Sequence, residues 1–324
     1  MAGMVNGKWV ATMPAAEEIK GGKFVRIDST FRDRIGPDGA FPAEPGRYHL
    51  WVSYNCPWAS RALVWRVLKG LEEIIPVHAA AVGLGGEGWT FAADGEGNPH
   101  PEGFALHNIY SRAVSDYTGK VTVPTLWDSR TGRIVNNESA EIVRNLDTCF
   151  DHLTGNTNVL CPDDLREEID RWNALIYPSV NNGVYRAGFA TAQSAYEEAA
   201  RELFAMLDRI DDHLGTSRYL VGEWLTEADW RLFTTLVRFD IAYHGAFKCN
   251  LKRIADYPNL SGYLRELYQW PGIAGTVRLD EIKAGYYLLA NVNSHRIVPI
   301  GPPVDLTSPH GREGLPGKGI RQRT

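Results

Sequence analysis

The chain changes character abruptly at residues 48–57, and that change narrows its possible folds more than any other feature. Residues 48–54, YHLWVSY, are an apolar β-type run; Asn55, Cys56 and Pro57 make a turn; residues 58–69 place Ala62, Trp65 and Leu68 at helical spacing. Gly70 ends that helix, and residues 74–82 follow as a second apolar strand. The result is a βαβ start with a cysteine at its first strand-to-helix corner.

The elements that follow extend this pattern. Residues 83–103, GLGGEGWTFAADGEGNPHPEG, read as a loop, unusual in holding the aromatic pair Trp89 and Phe91. A helix is expected over 104–117. Residues 121–127 are a strand interrupted by Pro124, residues 133–135 pair with it across a turn at 128–132, and 138–149 is helical. The order βαβ, α, ββα is that of a thioredoxin fold. After about residue 160 the strands stop. Residues 163–177 put Leu165, Ile169, Trp172 and Ile176 on one face, and residues 191–214 do the same with Tyr196, Leu203, Leu207 and Ile210. Further helices are expected over 226–243 and 259–270.

The fold class is therefore α/β plus all-α. An extended arm covers 1–45, a thioredoxin-like domain 46–150 and an all-α domain 160–290. A Pro/Gly-rich tail without apolar anchors covers 291–324.

A net charge of −5 and the lack of any dense Lys/Arg block leave no electrostatic footprint for nucleic acid or an anionic membrane. The N-terminal residues have no leader pattern, and nowhere do eighteen apolar residues follow one another, so a cytoplasmic protein is expected. The cysteines Cys56, Cys149, Cys161 and Cys249 lie far apart, with no CxxC pair and no zinc-like spacing, so no metal is expected. In a reducing compartment a cysteine is ordinarily a small buried hydrophobe, which suits Cys149, Cys161 and Cys249.

Cys56 differs. At the entrance of a helix its sulfur faces unpaired backbone N–H groups and the positive end of the helix dipole, which favours a nucleophilic thiolate. A buried strand-end cysteine is the competing reading. Three residues on stands Ala59, so no second protein thiol is placed to resolve a disulfide, and the second thiol must come from a small co-substrate. Pro124 is either an edge or bulge proline or a cis proline. Beside such a cysteine in a thioredoxin fold the cis form is favoured, leaving the backbone of Val123 open to an extended peptide. Glu138 and Ser139 open a helix whose N–H groups can hold a carboxylate while Glu138 meets an ammonium, the two charges of a γ-glutamyl group. A plain helix cap accounts for the same residues.

These residues carry a resemblance. NCPWAS at Cys56, GWTF at Trp89, VTVPTLWD across Pro124 and NNESAEI at Glu138 resemble the N-terminal domain of the glutathionyl-hydroquinone reductases, the omega-like Xi class of glutathione transferases. IYPSVNNGVYRAGFAT, YLVGEWLTEADWRLF, RFDIAYHGAFKCN and DYPNLSGYLRELYQWPGIAGTV resemble its helical C-terminal domain. The resemblance implies Cys56 as the nucleophile, with Trp89, Val123, Pro124, Glu138 and Ser139 around glutathione. It implies Tyr177, Tyr185, Tyr286 and Tyr287 around a glutathionylated aromatic substrate. The implied reaction strips glutathione from glutathionyl-hydroquinones through a Cys56–glutathione mixed disulfide. A broader thiol transferase or dehydroascorbate-type reductase, and a non-catalytic transferase-like binding protein, are the competing functions. A homodimer is expected, since Trp9 and Ile297 would otherwise lie exposed.

Two local features complete the sequence picture. Thr226 and Asp229 read as a structural helix cap, with Leu225 and Trp230 as its staple. Near the tyrosine pair the chain departs from the family pattern of a preceding His and a following Ser-His. Gly285 precedes the pair here and Leu288, Leu289 and Ala290 follow, which implies a more apolar pocket.

Overall fold

The computed structural model describes residues 2–11, 13, 18–37, 39–92 and 104–323. They form two compact units: Met1–Glu17 with Ile27–Asn156, and Glu18–Arg26 with Thr157–Thr324.

The first unit is thioredoxin-like. Its sheet contains β1 (Tyr48–Val52), β2 (Val77–Ala79), β3 (Thr125–Asp128) and β4 (Arg133–Asn136) in the spatial order β4-β3-β1-β2. β1 and β2 run parallel with Trp51 opposite His78, whereas β3 lies antiparallel to both β1 and β4. Helix α1 (Pro57–Leu68) joins β1 to β2, α2 (His107–Ala113) follows, and α3 (Ser139–Leu146) packs beside α1. Strand alternation sends Tyr48, Leu50 and Val52 to one side of the sheet and Trp51 to the other. There Trp51 meets Phe91 and Phe104 at ring separations of 4.8 and 5.3 Å. These two phenylalanines face each other across an antiparallel hairpin, Thr90–Phe91 with Phe104–Ala105. Burying an indole this completely is worth roughly 4–6 kcal/mol.

The expected boundaries shift in consequence. Phe104 is in a strand, not a helix, because its ring is needed over Trp51, and α2 starts only at His107. The loop expected over 83–103 lies partly outside the described residues, at 93–103. The strand begun in the sequence at 121 starts at Thr125, just after Pro124. The arm is not featureless: Gly3–Val5 pairs with Lys8–Val10, and Met4 and Arg32 bridge to Gly119 and Asn136. Trp9, expected to need a partner subunit, stacks on His107 at 5.0 Å and donates to the Gly86 carbonyl at 2.7 Å.

The second unit is helical, with α4 (Arg166–Ile176), α5 (Gln193–Leu214), α6 (Glu227–Arg238), α7 (Leu260–Tyr268) and α8 (Leu279–Tyr287). Every residue of α6 is buried, so α6 is the axis around which the others pack. Its N-terminus carries the expected capping box: Thr226 N and Leu220 N donate to the Asp229 carboxylate at 2.9 and 2.8 Å, and Tyr263 adds its hydroxyl at 2.8 Å. Two wide turns closed by i→i+5 bonds interrupt the helices, Tyr177–Asn181 after α4 and Phe239–Tyr243 after α6. Such turns swing side chains out of helical register and recur at functional sites.

The tail departs from expectation by being anchored. Leu306 and Ile320 are buried, and Arg321–Gln322 pairs with Asn158–Val159. The buried Arg312 guanidinium donates to the carbonyls of Leu214, Ser217 and Arg218 at 3.1, 2.9 and 2.8 Å, filling the carbonyl-lined end of α5. Among the described residues no helix is long and apolar enough to cross a membrane.

Candidate active site

Cys56 is the cap residue of α1, with φ −79° and ψ 120°. Its carbonyl accepts from Ser60 N at 3.0 Å, and Pro57 takes the first helical position, where no N–H is needed. The half-buried thiol therefore sits at the positive end of a twelve-residue helix. Its Sγ lies 3.4 Å from the Val123 carbonyl, and the Val123–Pro124 peptide is cis. Ala59, one turn below, is buried.

α3 supplies the neighbouring wall. Glu138 caps it, accepting from Ala140 N and from the Ser29 hydroxyl, both at 3.1 Å. Its own N–H donates to Asn136 Oδ1 at 2.7 Å. Ser139 is buried behind it, and its hydroxyl accepts from the Arg61 guanidinium at 3.3 Å. Arg61 is itself fully buried on α1 and stacks on Trp58 at 4.6 Å, so the two helices are joined under the site. An adjacent carboxylate, Glu141, is held below its usual range chiefly by Arg32, which ties the arm to α3. Trp89 is half-buried at the foot of the hairpin, its carbonyl accepting from Leu106 N at 2.9 Å, and Gly88 before it lies under Trp9.

The other cysteines have different surroundings. Burial pushes the Cys149 thiol up to about 12 and Cys249 higher still. Cys161 is buried.

In the second unit two of the four expected tyrosines come together. The hydroxyls of Tyr185 and Tyr286 are 2.6 Å apart. A third phenol missed in the sequence, Tyr243, completes a chain at 3.0 Å from Tyr286. It comes from the wide turn after α6, so helical periodicity does not reveal its direction. Burial drives the Tyr243 and Tyr286 phenols far above their ordinary values, so both stay neutral in the working pH range. Arg26, also missed, lies over the Tyr185 ring at 4.9 Å and donates to Asn182 at 3.0 Å. Tyr287 is half-buried with its hydroxyl against Gly245, and Tyr177 is 37% exposed.

A thioredoxin-like unit with one thiol at a helix entrance, followed by an all-α unit, is the architecture of a glutathione transferase. The descriptions "Glutathione S-transferase, N-terminal domain" and "Glutathione S-transferase, C-terminal domain" match residues 55–149 and 193–266. The chain is 50% identical to the glutathionyl-hydroquinone reductase PcpF of Sphingobium chlorophenolicum, over 87% of this chain and 90% of that one. It is 46% identical to the glutathionyl-hydroquinone reductase YqjG of Escherichia coli, over 97% and 99%. Among solved structures, a Xi-class transferase from Natrialba magadii superposes with a TM-score of 0.89 at 46% identity, covering 98% of both chains. The glutathione-bound structure of YqjG gives 0.84 at 46%, covering 88% of this chain and 96% of that one. The chain belongs to the Xi class of the glutathione transferases, the family of the glutathionyl-hydroquinone reductases.

Proposed function

We propose that this protein is a glutathione-dependent reductase that removes glutathione from glutathionyl-hydroquinones. The observation that carries the proposal is Cys56 as the sole cysteine at the α1 entrance, its sulfur against the Val123 carbonyl and Ala59 where a second thiol would stand.

The Cys56 thiolate attacks the sulfur of the conjugate, forming an S–S bond as the S–C bond breaks. The bonding pair leaves with the ring carbon, which takes a proton, so the hydroquinone departs and Cys56 is left as a mixed disulfide with glutathione. A second glutathione thiolate attacks that disulfide, regenerating Cys56 and releasing glutathione disulfide. The two electrons that reduce the ring come from the two sulfurs joined in glutathione disulfide, that of the conjugate and that of the second glutathione, while Cys56 ends unchanged.

The backbone at Val123 and Pro124 pairs with the cysteinyl part of glutathione, Glu138 takes its ammonium, Ser139 with the α3 N-terminus takes its carboxylate, and Trp89 walls the site. Tyr177, Tyr185, Tyr286 and Tyr287 surround the aromatic part, with the Tyr185–Tyr286 pair supplying phenol hydrogen bonds to a quinol oxygen. We place the enzyme in the cytoplasm and expect a homodimer, for which the exposed Ile297, Val298 and Ile300 are the supporting surface.

Mass spectrometry after incubation with a glutathionyl-hydroquinone tests the mechanism. A glutathione adduct on Cys56, with no turnover by Cys56→Ala, is the expected result. An adduct on Cys149, Cys161 or Cys249 instead, or full turnover by Cys56→Ala, overturns it.

A further inference from the structure

Two walls of the proposed glutathione site are fastened to one hydroxyl that lies outside it. Tyr110, on α2, is completely buried. Its hydroxyl oxygen is 3.3 Å from Thr122 N, 3.2 Å from Thr122 O, 3.1 Å from Thr125 Oγ1 and 3.2 Å from Asn137 Nδ2. A phenol has one proton to give and two lone pairs to accept with. Thr122 N and Asn137 Nδ2 are donors only, so they take the lone pairs. The proton has two acceptors in reach, the Thr122 carbonyl and Thr125 Oγ1, and Thr125 passes its own proton to that same carbonyl at 2.7 Å. The hydroxyl is saturated, and a buried network satisfied in this way is rigid.

The positions of its partners give the network its meaning. Thr122 immediately precedes Val123, whose carbonyl meets Cys56 Sγ. Asn137 immediately precedes Glu138 and Ser139, and its amide nitrogen also reaches Thr122 Oγ1 at 3.3 Å. The far side of Asn137 is pinned by the arm, its Oδ1 accepting from Phe31 N at 3.1 Å. The strand entrance that faces the sulfur and the helix entrance that faces the γ-glutamyl end are thus held at one separation by Tyr110, Thr122 and Asn137.

We propose that Tyr110 is a positioning residue for glutathione, acting through Thr122 and Asn137 to set the distance between the Val123 backbone and the Glu138–Ser139 helix entrance. The inference rests on reading Val123, Glu138 and Ser139 as the glutathione site. Glutathione spans both walls, so its affinity depends on their spacing, whereas the sulfur chemistry of the bound thiol depends on Cys56. Loss of the hydroxyl therefore acts on binding and spares the exchange step.

Tyr110→Phe keeps the ring and its contacts with Phe31 and Tyr117 and deletes one oxygen. The KM for glutathione is expected to rise about tenfold while kcat at saturating glutathione stays within about twofold of wild type. The glutathione Kd, measured by calorimetry in a Cys56→Ser background, is expected to rise by the same factor. A purely structural Tyr110 would lower the melting temperature and leave KM and Kd unchanged, and that result overturns the proposal. Glu138→Gln, measured alongside, reports on the site itself: a wild-type KM there removes the reading of Glu138, whereas Tyr110→Phe alone decides the role of the hydroxyl. If Tyr110→Phe does not fold, Asn137→Asp removes the N–H donor to the phenol and to Thr122 Oγ1 at nearly constant volume while keeping an acceptor for Phe31 N. Its KM must rise in the same direction, and an unchanged KM overturns the proposal equally.

Discussion

Replacing Tyr286 by Phe separates what the phenol chain does for stability from what it does for the substrate. The Tyr286 hydroxyl is the middle member, bonded to Tyr185 at 2.6 Å and to Tyr243 at 3.0 Å. Its removal takes a bond from each of the buried Tyr185 and Tyr243 hydroxyls, and Tyr243 has no exposed surface from which water could replace it. Losing such buried bonds costs about 1–3 kcal/mol. In a unit of this size each kcal/mol moves the melting temperature by about 2–4 °C, so calorimetry should show a fall of several degrees in the transition of the helical unit. If the Tyr185–Tyr286 pair also bonds the quinol oxygen, kcat/KM for a glutathionyl-hydroquinone should drop about tenfold, equivalent to about 1.4 kcal/mol. Tyr243→Phe is the comparison, since it also takes a bond from Tyr286, leaving it the one to Tyr185, but deletes an atom that is wholly internal. It should lower the melting temperature as well, with most of the turnover intact. If Tyr286→Phe melts lower yet turns over its conjugate like wild type, Tyr286 is a core residue and leaves the substrate site. If its melting temperature does not move, the energetic reasoning about the phenol chain is wrong.

Burial pushes the Asp128 carboxyl up, but hydrogen bonds from Arg47, Thr131 and Arg130 N outweigh it and leave the group below its ordinary value. A carboxyl depressed in the folded state stabilises above its unfolded pKa and loses that contribution as pH falls through the folded value. Asp128→Asn should therefore flatten the loss of stability of the first unit below about pH 4, and an unchanged acid limb in urea titrations would contradict this. The segment with Gly285 and Leu288 to Ala290 should favour alkyl- or aryl-substituted glutathionyl-hydroquinones over unsubstituted ones, each lost polar contact counting for about 1 kcal/mol. A highest specificity constant for the smallest, most polar conjugate would remove that segment, and Tyr286 and Tyr287 with it, from the substrate site. Light scattering at micromolar concentration should report a dimer, and Ile300→Glu should weaken it; a monomeric wild type ends the expectation.

The strand, turn and helix around Cys56 were legible because short-range signals agreed: an apolar run, Pro57 in the first helical position and Gly70 as a stop, with φ of +63°. The cap of α6 was legible for the same reason, since Thr226 and Asp229 interact within one turn. The hairpin of Phe91 and Phe104 was not, because its strands are two residues each and take their meaning from Trp51, far away in sequence. Trp9 read as an orphan because its stacking partner, His107, lies nearly a hundred residues on. Tyr110 has the periodic signature of a half-buried helical tyrosine, and only its hydroxyl partners distinguish it. Tyr243 was hidden because it lies in the wide turn after α6, out of helical register and among residues that are all buried, so no polar face gives its direction.

The short segment Glu18–Arg26 fixes an order of events during synthesis. Its contacts lie in the helical unit: Phe24 packs on Phe189 at 5.3 Å, Lys23 pairs with Glu198 at 2.7 Å, and the Gly22 carbonyl accepts from Thr191 N at 3.0 Å. Gly22 thus leaves the ribosome about 170 residues ahead of the nitrogen it bonds, and closing a loop of that length costs about 4–5 kcal/mol of chain entropy. The thioredoxin-like unit has all its residues once Asn156 is made, with this segment spanning a gap inside it as an undocked tether. The helical unit cannot finish until α5 has emerged and recaptured the tether. A fragment begun at Thr157 would therefore lack one of its own walls, because the two compact units are not two consecutive lengths of sequence.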